Sequence, residues 1–172
     1  GVAFAGQVLG PFEALTTLLI KDLTAPLIHV PRALRDGDPA DVLRLAAGAV
    51  VAVPLGVWVL SLVAPEVFRW GVSLFALLLL ALLVAGVRYR GELTRRLVYL
   101  TGAIGGFLAG CVGLPGPPVI LLYMASTLPA SAVRANTTLY LILADVILLG
   151  ALAWNGFLAA SAVVIGLLMI LP

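Results

Sequence analysis

The side chains of this sequence that could do chemistry are few, and most of them lie inside apolar stretches. Asp145 has Leu, Ile, Val and Ala as its neighbours. An ionisable residue in such surroundings is a functional candidate, because a charge in an apolar medium is costly unless it is paired or reaches water. One role for this carboxyl group is proton transfer. The structural alternative is a hydrogen bond from Asp145 to a neighbouring helix.

Three more charges are candidates for the same kind of role. Lys21 and Asp22 lie near the middle of an earlier apolar stretch, and Arg134 precedes the helix of Asp145 by a few residues. Adjacent positions on a helix point about 100° apart, so a direct ion pair between Lys21 and Asp22 is not assured. We expect these charges to face protein or water. A second interpretation of Arg134 is that it anchors its helix at a membrane interface.

A polar cluster follows Arg134 directly. Asn136, Thr137 and Thr138 could donate hydrogen bonds to an anion. Polar residues of this kind also join apolar helices to one another, so a purely structural role stays open.

A glycine and proline cluster, residues 113–118, interrupts a very apolar stretch between positions 102 and 123. Proline removes a backbone donor and disfavours helical geometry in the residue before it, so the sequence predicts a helix that ends here and restarts as a second short one. Pro117 and Pro118 suit the first turn of that second helix. Its N-terminal end carries partial positive charge, which favours an anion, with N–H donors from Gly116, Val119 and Ile120. The candidate substrate-binding residues of this break are Gly113, Pro115, Gly116, Pro117 and Val119. A break that only shapes the fold is the alternative.

The sequence lacks the residues needed for metal binding, disulfide formation or nucleophilic catalysis. His29 is the one histidine and Cys111 the one cysteine, so neither a metal centre nor a disulfide can be built. Ser126 and Ser131 have no base to activate them. We therefore predict no enzyme, no metal and no cofactor.

Composition sets the class of protein that must position these residues. Of 172 residues 63% are hydrophobic and only 10% charged, with a mean hydropathy of +1.20. These values predict an integral membrane protein with an all-α, polytopic helix bundle in a lipid bilayer. The net charge is +2, and the basic residues lie in loops, so the sequence indicates no nucleic-acid partner.

The apolar runs divide into spans separated by short polar segments. Residues 31–44 are predicted to be a polar loop, in which Asp38 caps the helix that Pro39 starts. Arg88, Arg90, Arg95 and Arg96 mark residues 88–96 as a cytoplasmic loop, and residues 31–44 fall on the same side. The predicted spans are 11–30, 42–63, 67–87, 135–153 and 157–172, with the broken segment over 97–127. That segment either crosses the membrane or dips in and returns, and Arg134 favours the return.

Internal similarity predicts two related repeats. Residues 14–18 (ALTTL) match 135–139 (ANTTL), and residues 45–51 (LAAGAVV) match 158–164 (LAASAVV), in the same order. We therefore divide the chain into 1–96, the remainder of a first repeat, and 97–172, the second. On this scheme the first repeat's own broken segment would lie before residue 1, so we expect a chain cut at both ends.

The broken segment, the Asn-Thr-Thr helix after it and the arginine loop before it resemble the sulfite exporter TauE/SafE family of membrane transporters. The most specific part is 105–118, although proline partly replaces the glycine pair that many members carry. The resemblance implies a multi-pass permease or exporter in the bacterial inner membrane, which moves sulfite, sulfonates or other small anions by alternating access. Protons as coupling ion and a homo-oligomer are both left open.

The rival hypothesis comes from Gly102, Gly106 and Gly110, which recur every fourth residue and line up a flat helix face. In that case the protein would be a membrane scaffold or subunit without transport activity, and this face would pack against the helix of a partner.

Overall fold

A computed structural model of the chain describes residues 16, 19, 22, 23, 26–84, 93–124 and 126–157. All regular structure among these residues is helical, as predicted. A 3₁₀ turn, Pro26–His29, leads into the first of the longer elements. These are α1 (Val30–Asp36), α2 (Pro39–Leu62), α3 (Pro65–Val84), α4 (Arg95–Val112), α5 (Gly116–Met124) and α6 (Ala130–Trp154).

Among the residues that the structure describes, two helices qualify as membrane spans by length and composition. They are α2, with a mean hydropathy of 2.2, and α6, with 1.9. At 1.5 Å per residue each exceeds the roughly 30 Å of a hydrocarbon core. They confirm helices at the predicted spans 42–63 and 135–153, and α3 forms a helix over most of 67–87. Eleven of the twenty residues of the predicted span 11–30, and all of 157–172 except residue 157, lie outside the described residues.

The predicted polar loop over 31–44 is wrong, because most of it is helical. Ala33 of α1 is buried, and α1 packs against α6, so tertiary burial stabilises a helix that the polar composition hides. Only Gly37 and Asp38 separate α1 from α2. The predicted cap is confirmed: the Asp38 Oδ1 accepts from the Ala40 N–H at 2.9 Å, and Pro39 opens α2.

The glycine face of α4 is covered by the chain's own α2. A β-carbon placed at Gly106 would lie 2.6 Å from the Ala49 Cα, one at Gly102 would collide with Leu45, and one at Gly110 with Val53. Because successive glycines meet successive turns of α2 in the same order, the two helices run parallel.

The helix break occurs where the sequence predicts it, and the chain then turns back. Gly113 ends α4 in the left-handed conformation (φ 73°), which glycine adopts without steric cost. The Pro115 carbonyl comes to lie over Gly105 of α4, and Tyr123 near the end of α5 lies beside Asn136 in the second turn of α6.

This path returns the chain to the end of the bundle from which α4 starts. The Asn136 side chain bonds to Asp38, at the start of α2, at 2.7 Å. Consequently α2, α4 and α6 all begin at one end, and α5 runs opposite to these three. The segment 97–127 is thus a hairpin of two helices within the bundle.

Candidate functional site

The break lies midway along the bundle. Gly106, one residue from the contact with Pro115, packs on Ala49 near the middle of the 24-residue α2. Pro115 and Gly116 are buried, whereas Gly113 and Pro117 are half-buried. The backbone of the break is therefore partly accessible, and in a bilayer such peptide groups would need protein or water as partners.

The first turn of α5 carries few backbone donors. The first four N–H groups of an α-helix have no partner within it. In α5, which begins at Gly116, three of these four positions are Pro115, Pro117 and Pro118, so only Gly116 contributes an N–H. Val119 is fully buried at the fourth helical position, where an N–H faces back into its own helix.

Tyr140 and Leu141 of α6 form the wall opposite the break. The buried Tyr140 hydroxyl donates to the Gly102 carbonyl at 3.2 Å. The same hydroxyl and the Pro115 carbonyl fill the space over Gly105, so no side chain fits there. Leu141 Cδ2 lies 3.4 Å from the β-carbon position of Gly116. The break is thus held between α4 and α6.

Asn136 lies one turn nearer to the start of α6 and serves a different contact. It is fully buried, and its Oδ1 accepts from the Asp38 N–H at 2.7 Å. Its Nδ2 and the Tyr123 hydroxyl lie beside each other, but their geometry satisfies no hydrogen bond, and both are buried without a partner. Two polar groups in this position are unusual, because leaving a buried donor unpaired is costly.

Thr137, Thr138 and Arg134 point instead into a cavity of about 740 Å³ at the same end of the bundle. The Thr137 hydroxyl donates to the Val133 carbonyl of its own helix at 2.8 Å, so it has only acceptor capacity left. The structure therefore divides the predicted binding residues into two levels: the break beside Tyr140 and Leu141, and the polar cluster of Asn136, Thr137 and Thr138 one turn away.

Asp145 lies one turn beyond Leu141 on the other side of the break and is only 8% exposed. The Asp22 carboxylate is close enough to repel the Asp145 charge. This brings together two of the predicted charges from distant parts of the sequence, while Lys21 lies outside the described residues. Among the described residues no three His, Cys, Asp or Glu side chains come together to hold a metal ion.

Sequence reasoning missed Tyr123, Tyr140 and the cavity residues of α1. Both tyrosines occur in apolar helices, where a phenol needs a polar partner, and that requirement was the available signal. The groups beside them, the Asn136 side chain and the Gly102 carbonyl, come from other helices and cannot be read from local spacing. Arg32 was assigned to a loop, which concealed its position opposite Arg134.

Comparison with known proteins gives one match, to a family. The family model described as Sulfite exporter TauE/SafE matches residues 2–172. No curated protein and no solved structure matches the chain significantly. The matched range contains the broken helix, both candidate spans and the cavity described above. Because the match extends over nearly the whole sequence, the chain belongs to the sulfite exporter TauE/SafE family of membrane transporters.

Proposed function

We propose that this protein is a secondary transporter that moves a small sulfur-containing anion, such as sulfite or a sulfonate, across the bacterial inner membrane. The observation that carries the proposal is the helix break held halfway along the bundle between α4 and α6. Carriers built from repeats place their substrate at such discontinuous helices near the middle of the bilayer.

The break suits an anion better than a cation. The N-terminal end of α5 carries the positive end of the helix dipole, and the Gly116 N–H is its one unpaired first-turn donor. Since Pro117 and Pro118 remove the other donors, this site binds weakly and through few contacts. Weak binding is compatible with transport, because the substrate must also leave.

Donors on α6 complete the proposed pathway. Asn136 retains an unpaired Nδ2, and Thr138 lines the adjoining cavity. We infer that the anion passes between this polar level and the break as the protein alternates between inward-open and outward-open states. In this scheme one repeat, 1–96, rocks against the other, 97–172. Each matched pair of repeat sequences has one member that lies largely outside the described residues, so the proposed repeat rests on the sequence.

Proton coupling is assigned to Asp145. Its carboxyl group is buried one turn beyond the break and lies near the Asp22 carboxylate, so two acids lie close to the proposed substrate site. We expect Asp145→Asn to abolish uptake driven by a pH gradient while leaving anion exchange at equal pH intact. Glu66→Gln, which changes an exposed acid in the first turn of α3, is the control. Full pH-driven uptake by Asp145→Asn would remove this role from Asp145.

The scaffold hypothesis loses its main support. It requires a free glycine face on α4, and α2 of the same chain occupies that face at Gly102, Gly106 and Gly110. We therefore favour transport, with the arginine-bearing ends of α2, α4 and α6 on the cytoplasmic side.

Anion flux into proteoliposomes tests the proposal directly. The purified protein is reconstituted into liposomes. Uptake of sulfite, thiosulfate and methanesulfonate is then measured, each with and without a pH gradient. We expect saturable uptake of at least one of them, absent from protein-free liposomes. If all three move at the rate of the protein-free control under every gradient, the transporter proposal is wrong.

A further inference from the structure

The cavity at the arginine-bearing end of the bundle differs from the break in both position and chemistry. It has a volume of about 740 Å³ and lies between α1, α5 and α6. We call it the arginine vestibule. Its lining residues on α6 include Ser131, Arg134, Thr137 and Thr138, those from the preceding turn and α1 include His29, Arg32 and Asp36, and Ile120 comes from α5.

Positive charge dominates the charged lining of the vestibule. Arg32 and Arg134 approach from two different helices, and Asp36 is the single carboxylate of the lining. In the described part of the chain the one ion pair is Arg44 with Asp41, at 2.6 Å. Neither vestibule guanidinium therefore forms an ion pair with a described carboxylate.

Arginine is well suited to bind an oxyanion. Its planar guanidinium presents several N–H donors in a fixed arrangement that matches two oxygens of one anion, and it stays charged at every physiological pH. Two such groups facing one space, with the Thr138 and Ser131 hydroxyls beside them, form a set of donors for an anion that carries three or more oxygens.

The vestibule adjoins the break through a single side chain. Ile120 is 40% exposed and lines the vestibule. Its Cδ1 also lies 3.7 Å from the β-carbon position of Gly116, the residue that opens α5. The Ile120 side chain thus contacts both the vestibule and the residue that opens α5.

From this arrangement we propose that the vestibule is a cytoplasmic anion-binding site, in which Arg32 and Arg134 hold a small sulfur oxyanion before it reaches the break. The proposal rests on the transporter function proposed above and adds a second site to it. The cavity is much larger than one small anion, since a water molecule fills about 30 Å³ of liquid, so the anion binds with part of its hydration shell.

The structural alternative for these arginines is interfacial anchoring, and a neighbouring residue separates the two roles. Arg35 lies on the same helix as Arg32 and is exposed, but it does not line the vestibule. An anchoring role predicts similar effects from changes at all three arginines. A binding role predicts effects at Arg32 and Arg134 only.

The test compares Arg32→Gln and Arg134→Gln with the matched control Arg35→Gln and with the conservative variant Arg32→Lys. Sulfite uptake is measured in inside-out vesicles, which expose the cytoplasmic face to the medium. We expect KM to rise about five- to tenfold in the two vestibule variants, as loss of a partly exposed charged hydrogen bond implies. Vmax should change less than twofold, Arg32→Lys should recover part of the affinity, and Arg35→Gln should match the wild type.

Equilibrium binding of radiolabelled sulfite to the purified full chain gives a second measurement, which does not depend on transport. Binding that is lost in Arg32→Gln and Arg134→Gln but kept in Arg35→Gln supports the vestibule even if the wild type shows no flux, and in that case only the transporter proposal fails. Wild-type flux with equal KM in all three glutamine variants overturns the vestibule alone. A wild type that neither binds nor transports sulfite, thiosulfate or methanesulfonate overturns both.

Discussion

Asn136 shows how one polar side chain joins two distant parts of the chain. Its Oδ1 accepts from the Asp38 N–H at 2.7 Å, which ties α6 to the turn between α1 and α2. Asn136→Ala leaves that N–H without its acceptor in a closely packed place, at a cost of about 1–3 kcal/mol. We expect a lower thermal unfolding midpoint in detergent.

A matched control for this change lies on the same helix. Asn155 caps the far end of α6, and its Nδ2 donates to the Ala151 carbonyl at 2.7 Å in an exposed position. Asn155→Ala should alter stability by at most about 0.5 kcal/mol, as surface substitutions usually do. Equal unfolding midpoints for the two variants would mean that the bond to Asp38 contributes nothing.

The same residue marks what sequence reasoning reaches and what it does not. That Asn136 is important follows from an amide in an apolar helix, which needs a partner. That its oxygen belongs to Asp38 does not follow, because the two residues are 98 positions apart. The sequence therefore predicted a ligand donor, whereas the structure employs the oxygen of the amide for folding and leaves the Nδ2 unpaired.

At the scale of elements, close contact between α2 and α4 depends on the absence of side chains. A methyl group at Gly106 would lie 2.6 Å from the Ala49 Cα and 3.0 Å from its Cβ. Since backbone cannot move aside easily, Gly106→Ala should destabilise the protein by about 1–3 kcal/mol, the usual range for overpacking. The measurement is again thermal unfolding in detergent.

Gly150 of α6 provides the comparison, because nothing lies within 4 Å of its β-carbon position. Gly150→Ala should be neutral or stabilise by up to about 1 kcal/mol through helix propensity. A Gly106→Ala protein as stable as Gly150→Ala would show that the helices can separate freely, contrary to the packing described here.

Two substitutions can shift the break toward Pro117 and Pro118, which still prevent one continuous helix. Gly113 has a φ of 73°, which costs a residue with a side chain about 1–2 kcal/mol, and Pro115 prevents the helix from continuing. In Gly113→Ala combined with Pro115→Ala, α4 can extend past its present end. We expect this double variant to insert in the membrane but to lose anion flux.

Pro129→Ala is the control for losing a proline outside the break, since Pro129 precedes the first turn of α6 with a bond from Val133 N–H to its carbonyl that alanine keeps. It should retain flux. Unchanged flux in the double variant would contradict a role for the break in transport.

The break was predictable and the helix α1 was not, for one physical reason. Three prolines and a glycine act on their own neighbours, so their effect shows in the local sequence. By contrast α1 is a short, highly charged helix that exists because Ala33 is buried and the helix packs on α6. Contacts of that kind depend on the tertiary fold, so the polar composition of residues 31–44 indicated a loop instead.

For the whole molecule, the direction of the helices links fold to orientation. Because α2, α4 and α6 begin at one end, Arg44, Arg95, Arg96 and Arg134 in their first two turns all lie at that end. Basic residues beside membrane spans favour the cytoplasm. The hairpin of α4 and α5 reconciles Arg134 with the earlier arginines, since a full crossing would have placed it on the opposite side.

This orientation leads to a labelling prediction. In a Cys111→Ala background, which removes the single native thiol, one cysteine is introduced as Arg35→Cys or as Asn155→Cys. Both positions are exposed, the first in the last turn of α1 and the second just past α6. A maleimide that cannot cross membranes should label Asn155→Cys on intact cells, and Arg35→Cys only after permeabilisation.

If the segment of α4 and α5 instead crossed the membrane, α6 would start outside and Asn155 would share the cytoplasm with Arg35. Labelling of both positions from one side would therefore contradict the hairpin of α4 and α5. It would also contradict a break from which both helices extend toward the same side of the membrane.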